Sequence, residues 1–341
     1  MKVILSRKGF DSSWGGFPSI ILPGGQMISF PIPEKGERKK DEKGKYTNKT
    51  KMGIKGIGAE NIKFVLDDKS ELTLAEIFTQ LHFKEDKIKI AGEKQSFKNT
   101  IFHYDPAIQT IYDTNGNEIK GHHGYAAFGQ SKAAAGHLLN EKIQKGDIFL
   151  FFGTFKNTEL REEKITYKRE KEFHALWGYI VVDDIFMINT ENVKDKNDRK
   201  IIIEKIIGYE KPGEPLKEKC EESERNKYHL DSHPHFMNCT NKYEESDKNI
   251  IICGENFGTF VYNEKKHKLT ENNQTKSYWD IPESLDCLIG HEITYHKDKI
   301  TTKHFKSASI GQEFVVKHNF NENEIKDLLN RLQNTLCTTS K

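Results

Sequence analysis

Gly146-Asp147-Ile148-Phe149-Leu150-Phe151-Phe152-Gly153 is the stretch that decides the fold. Five consecutive apolar residues, Ile148 to Phe152, show none of the alternation of a strand with one wet face. The run therefore predicts a strand buried on both faces. Residues 173–182 have the same character and are expected to pair with it, while the charged stretch 156–172 between them forms an exposed hairpin or loop. Just upstream, residues 131–144 predict a helix, small at Ala133-Ala134-Ala135 and stopped by Gly146.

Working outward, Val3-Ile4-Leu5 predicts a short buried strand followed by a glycine-rich loop, and Met27 to Pro31, Ile62 to Leu66 and Ile250 to Cys253 predict further strands. Thr73-Leu74-Ala75-Glu76 is a capping box, and Leu74, Ile77, Phe78 and Leu81 fall on one helical face behind it. The chain closes with an amphipathic helix capped by Asn321, with Ile325, Leu328, Leu329, Leu332 and Leu336 on one side. Strands and helices alternate irregularly and without repeats. The expectation is a single α+β domain over 1–341, a mixed central β-sheet flanked by helices. Polar, charged segments 34–57 and 190–227 are expected as peripheral insertions, the first rich in lysine.

Composition limits the function. With 53 basic and 51 acidic residues among 341, the net charge is only +2, so any attraction to phosphate must be local. Five cysteines, odd in number and widely spaced, predict reduced thiols rather than a disulfide framework. Three apolar residues at the start are too few for a signal-peptide core, and no run nears the roughly 18 needed to cross a bilayer. A cytoplasmic protein without membrane contact is expected.

The richest candidate site is Ser6-Arg7-Lys8-Gly9-Phe10-Asp11-Ser12-Ser13-Trp14-Gly15-Gly16-Phe17-Pro18-Ser19, just beyond the first strand. Arg7 and Lys8 suit phosphate or a carbonyl. Gly15 permits close backbone approach, and Phe10 and Trp14 offer faces on which a base can stack. Asp11, between Phe10 and the pair Ser12 and Ser13, suits a base or a stabiliser of positive charge; the plain alternative is an Asx-turn at Asp11. In Phe102-His103-Tyr104-Asp105-Pro106, the His103 and Asp105 pair is a second catalytic candidate. Gln130, before a helix start, suits reading a base edge. Gln312 and Glu313 stand at a strand start, where they can orient substrate or anchor the last helix. Cys220, His229, His233, His235 and Cys239 are close in sequence, but contain no C-x₂-C pair and are interrupted by Pro234; no metal is assigned. P-loop, dinucleotide, deaminase and nucleophile-elbow signatures are missing from the sequence, so no cofactor is assigned.

Taken in order, Ser6 to Ser13, Phe102 to Pro106, Phe128-Gly129-Gln130, Gly146 to Gly153 and Gly311-Gln312-Glu313-Phe314-Val315 resemble the third family of nucleotide modification associated domains. The resemblance implies a link to systems that modify DNA bases, or respond to their modification, in phage and bacteria. DNA is then the expected partner, and the expected activity is that of a DNA glycosylase excising a modified base, such as a hypermodified cytosine of phage DNA. Asp11 would stabilise the oxocarbenium-like transition state or activate water. A transferase or hydrolase building or trimming a modified base, and a non-catalytic reader of modified DNA, are the alternatives.

Overall fold

A computed structural model of the chain describes residues 1–11, 14–34, 36–40, 46–50, 57–66, 69–81, 87–90, 92–109, 124–190, 201–233, 236, 248–296, 304–307 and 313–333. The longer strands of the two main sheets, with the short β9, are β1 (Val3–Arg7), β2 (Ala126–Ser131), β3 (Ile148–Arg161), β4 (Phe173–Val181), β5 (Asp184–Thr190), β6 (Ile201–Lys211), β7 (Glu214–Lys219), β8 (Asn249–Gly254) and β9 (Glu313–Val315). Three helices matter here: α1 (Leu74–Gln80), α2 (Lys132–Asn140) and α3 (Glu322–Leu332).

The first sheet has eight strands: its main path runs Phe257–Thr259, β4, β3, β1, β9, while Ser19–Ile21 and Lys164–Tyr167 also pair with β3, and Met27–Ile28 pairs with Ser19–Ile21. It is mixed, because β1 lies parallel to β3 while β3–β4 and β1–β9 are antiparallel. The predicted two-sided burial of Ile148 to Phe152 is what the packing requires. Ile148, Leu150 and Phe152 point into a cluster with Trp279 and the α3 residues Ile325, Leu328 and Leu332. Phe149 and Phe151 point the other way, onto Phe128, Ile250, Ile252 and α2. Each such ring or branched side chain withdrawn from water contributes about 1.5–3 kcal/mol, so a polar residue on either face would weaken a different layer.

That second layer differs from the expected helices. It is a five-stranded antiparallel sheet in the order β2, β8, β5, β6, β7, with α2 adding Ala135, Leu138 and Leu139 to the same core. Part of the charged segment expected as an insertion, 201–219, forms the β6–β7 hairpin at its edge, where Ile203 is buried and Ile201, Ile206 and Tyr209 pack against the core, while charged residues dominate the exposed face. The stretch 36–40 pairs with 46–50 as a separate hairpin. The capping boxes at Thr73 and Asn321 are both formed. Residue Leu336 lies outside the described residues.

One irregularity positions the site. In the β3–β4 ladder Phe151 faces Gly178 and Phe152 faces Leu176, which leaves Trp177 as an extra residue without a ladder partner. Such bulges re-aim side chains and tighten local twist. Next to it, a Cβ on Gly178 would stand 2.4 Å from Ile108 Cδ1 and 2.8 Å from the Gly258 carbonyl. Gly178→Ala is therefore expected to destabilise the protein by about 1–3 kcal/mol through overpacking; an unchanged midpoint in urea unfolding would count against the packing described.

Candidate active site

Side chains alternate along a strand, and on β1 this divides the basic pair. Ser6 and Lys8 face the second sheet with Ile4, whereas Arg7 shares the face of Val3 and Leu5 toward Phe152. Glu313 on β9 stands directly across from Ser6. Glu313 Oε1 accepts from Ser6 Oγ at 3.3 Å and from the Gln130 side-chain amide, contributed by β2 of the other sheet. Asp105, past the strand Ile101–His103, accepts at Oδ1 from the Gly129 backbone N–H at 2.8 Å. Its other oxygen lies 3.4 Å from Lys8 Nζ, which also sits 5.0 Å from the centre of the Phe128 ring.

Ser6, Lys8, Asp105, Gln130 and Glu313 are all buried, none more than 8% exposed. Charged groups are withdrawn from water at a cost of several kcal/mol each unless paired and hydrogen-bonded. Here one cation and two carboxyls share the space, so the second carboxyl is the group under pressure. Burial pushes Glu313 up to about 7, with Asp105 adding to the rise. Lys8 and the hydrogen bonds from Ser6 and Gln130 oppose it. Near neutrality Glu313 therefore stands between carboxylic acid and carboxylate, able to give up a proton beside Lys8 and Asp105.

Around Arg7 the chemistry is different. Its guanidinium lies 5.6 Å from the centre of the Phe152 ring; burial lowers its pKa, while Asp11 and Glu313 act in the opposite sense. Beyond Phe152, His174 Nδ1 accepts from Trp279 Nε1–H at 3.1 Å. Burial first, then the charges of Arg7 and Lys276, push His174 down to about 3. It is a neutral, structural imidazole.

Asp11 closes a tight turn. Its Oδ1 accepts from the Trp14 backbone N–H at 2.7 Å, and its backbone bonds Trp14 and Gly16. That is the Asx-type geometry named above as the plain alternative, and it leaves Asp11 on the Arg7 side of β1. Gly15 takes φ +87° and a Cβ there would collide with the Phe10 ring at 1.9 Å. Phe10 itself packs in a core cluster with Phe17, Phe30 and Phe78 and is 1% exposed, so its faces are occupied by protein. Trp14, 37% exposed, offers an accessible ring in the same loop. His103 is half-buried at the strand end, across from Ile32. Ser12, Ser13 and Gln312 lie outside the described residues.

The structure thus brings Lys8, Asp105, Gln130 and Glu313 together and puts Arg7 on the opposite face of β1, where its guanidinium still feels the charges of Asp11 and Glu313. Ser6, Tyr104 and Trp177 join the site's surroundings without having been singled out; the signal for Ser6 was its strand parity with Lys8. Among the described residues no three His, Cys, Asp or Glu side chains form a metal-holding group, and this includes Cys220, His229 and His233. His235 and Cys239 are not described. No helix among the described residues is long and apolar enough to cross a membrane.

Against known proteins, the model of nucleotide modification associated domain 3 matches residues 2–205 and 194–317, spanning both sheets and every member of the buried cluster. The chain belongs to that family. Membership gives it a role associated with nucleotide modification. No curated protein and no solved structure matches it.

Proposed function

We propose that this member of nucleotide modification associated domain 3 is a DNA glycosylase, hydrolysing the N-glycosidic bond of a modified base. One observation carries the reading: a buried carboxylic acid, Glu313, held beside the Lys8–Asp105 pair at the point where both sheets meet. Base excision needs a proton for the departing base and negative charge near the sugar as C1′ becomes cationic. Glu313 supplies the first and Asp105 the second. Asp105 takes the place expected for Asp11, whose carboxylate is tied into its own turn. Trp14 supplies an exposed ring on which an extruded base stacks, and Arg7 binds phosphate or the base; both uses are part of the proposal.

The reading is tested by incubating the protein, with no cofactor, with DNA carrying ordinary, hydroxymethylated or glucosylated hydroxymethylated cytosine. Mass spectrometry for free base and alkali cleavage at abasic sites are the readouts. Released base that is lost in Asp105→Asn but kept at roughly wild-type rate in Asp11→Asn supports the assignment. The reverse pattern would transfer the role to Asp11, and intact DNA throughout would remove excision of these bases from consideration.

A further inference from the structure

Beside Asp105, between Gly9, Ser29, Tyr104, Pro106 and the bulged Trp177, lies a cavity of about 10 Å³. That is room for about one water-sized molecule. Two of its lining side chains keep a buried polar atom without a partner among the described residues: the Tyr104 hydroxyl and the Trp177 indole Nε1. A third wall is Asp105, which accepts from the Gly129 N–H and faces Lys8; a carboxylate oxygen can accept more than one hydrogen bond. Buried polar groups in folded proteins are paired, if not with protein then with ordered water.

The three walls define the guest. An indole N–H only donates, a phenol donates or accepts, and a carboxylate only accepts. An anion would oppose Asp105, a cation would face the indole N–H and stand close to Lys8, and an apolar guest would satisfy none of them. A water molecule can accept from an indole N–H, exchange a hydrogen bond with a phenol and donate to a carboxylate, so it suits all three. The β4 bulge makes Trp177 the extra residue opposite Phe151 and Phe152, and such bulges re-aim the side chains they carry.

We propose that this cavity binds one ordered water and that this water is the nucleophile of base excision. The second half rests on the glycosylase reading; the first does not. In the step, the water oxygen bonds to C1′ while the C1′–N bond breaks and its electron pair leaves with the base. Asp105 takes the proton released by the water and Glu313 gives its proton to the base. Proton exchange with solvent then restores both carboxyls.

The chain has three tryptophans, which makes the test direct. In ¹⁵N-tryptophan-labelled full-length protein, water-selective NOE and ROE spectra are recorded for the indole N–H groups. Trp177 is expected to show a cross-peak to a long-lived water. Trp279, fully buried and donating to His174, is expected to show none, while Trp14 exchanges freely with solvent. A Trp177 indole without a water cross-peak overturns the site. In Tyr104→Phe, a surviving cross-peak supports it, whereas loss of the peak at an unchanged indole shift assigns the signal to the phenol proton and overturns it. For the catalytic half, Trp177→Phe is expected to lower kcat for base release about tenfold or more with KM little changed; an unchanged kcat refutes the nucleophile while leaving the water and the glycosylase reading standing.

Discussion

Glu313→Gln is expected to flatten the pH dependence of stability between about pH 4.5 and 7. The carboxyl has an ordinary value of 4.5 and is pushed up to about 7 in the folded protein. Between those values the folded state holds a proton that the unfolded state has released, so stability falls as pH rises. The contribution is full below about 4.5 and is lost by about 7. A gap of this size corresponds to about 3 kcal/mol, at 1.36 kcal/mol per pH unit. Glutamine keeps the shape and cannot ionise. The difference in unfolding free energy between variant and wild type should therefore move by about 3 kcal/mol in the variant's favour as pH is raised through the window. Urea unfolding at several pH values reads this, and parallel curves would show that Glu313 titrates as an ordinary carboxyl.

Lys8→Met carries the largest expected loss of stability. Removing the cation leaves Asp105 buried, with Glu313 nearby and the Gly129 N–H still donating to it. Breaking a buried pair in this way costs about 3–5 kcal/mol. Much of the cost is the stranded charge, so Lys8→Met with Asp105→Asn should recover a substantial part of it. Chemical denaturation of the two single variants and the double gives the coupling directly. Additive losses would mean that the two side chains act independently despite their 3.4 Å approach.

Some of this was legible from the sequence, and the reasons are physical. Ile148 to Phe152 reads as a two-sided strand because burial on both faces erases alternation, and the helix caps read because Thr73–Glu76 and Asn321–Glu324 are local chemistry. The second sheet was harder to see. β6 and β7 carry charge on an edge hairpin, so their composition reads as solvated insertion although β6 still puts Ile203 into the core. At the site, the residues of the buried cluster are separated by up to some three hundred positions and meet only through sheet pairing. A loop aromatic can face the core or the solvent, and nothing local distinguishes Phe10 from Trp14. Asp11 satisfied every compositional expectation of a functional carboxylate and also those of a turn. The bulge at Trp177 depends on the register of two strands and leaves no mark on either one alone.

The most direct measurement of the central claim, that the buried cluster is the reaction centre, is the single-turnover rate of base release against pH. With Glu313 as the proton donor, the rate should decline as pH rises through about 7, where the group loses its proton. In Glu313→Gln the rate should fall by roughly 10²–10⁴-fold, with that alkaline limb gone. A variant that releases base at the wild-type rate, with the same pH profile, would contradict the account.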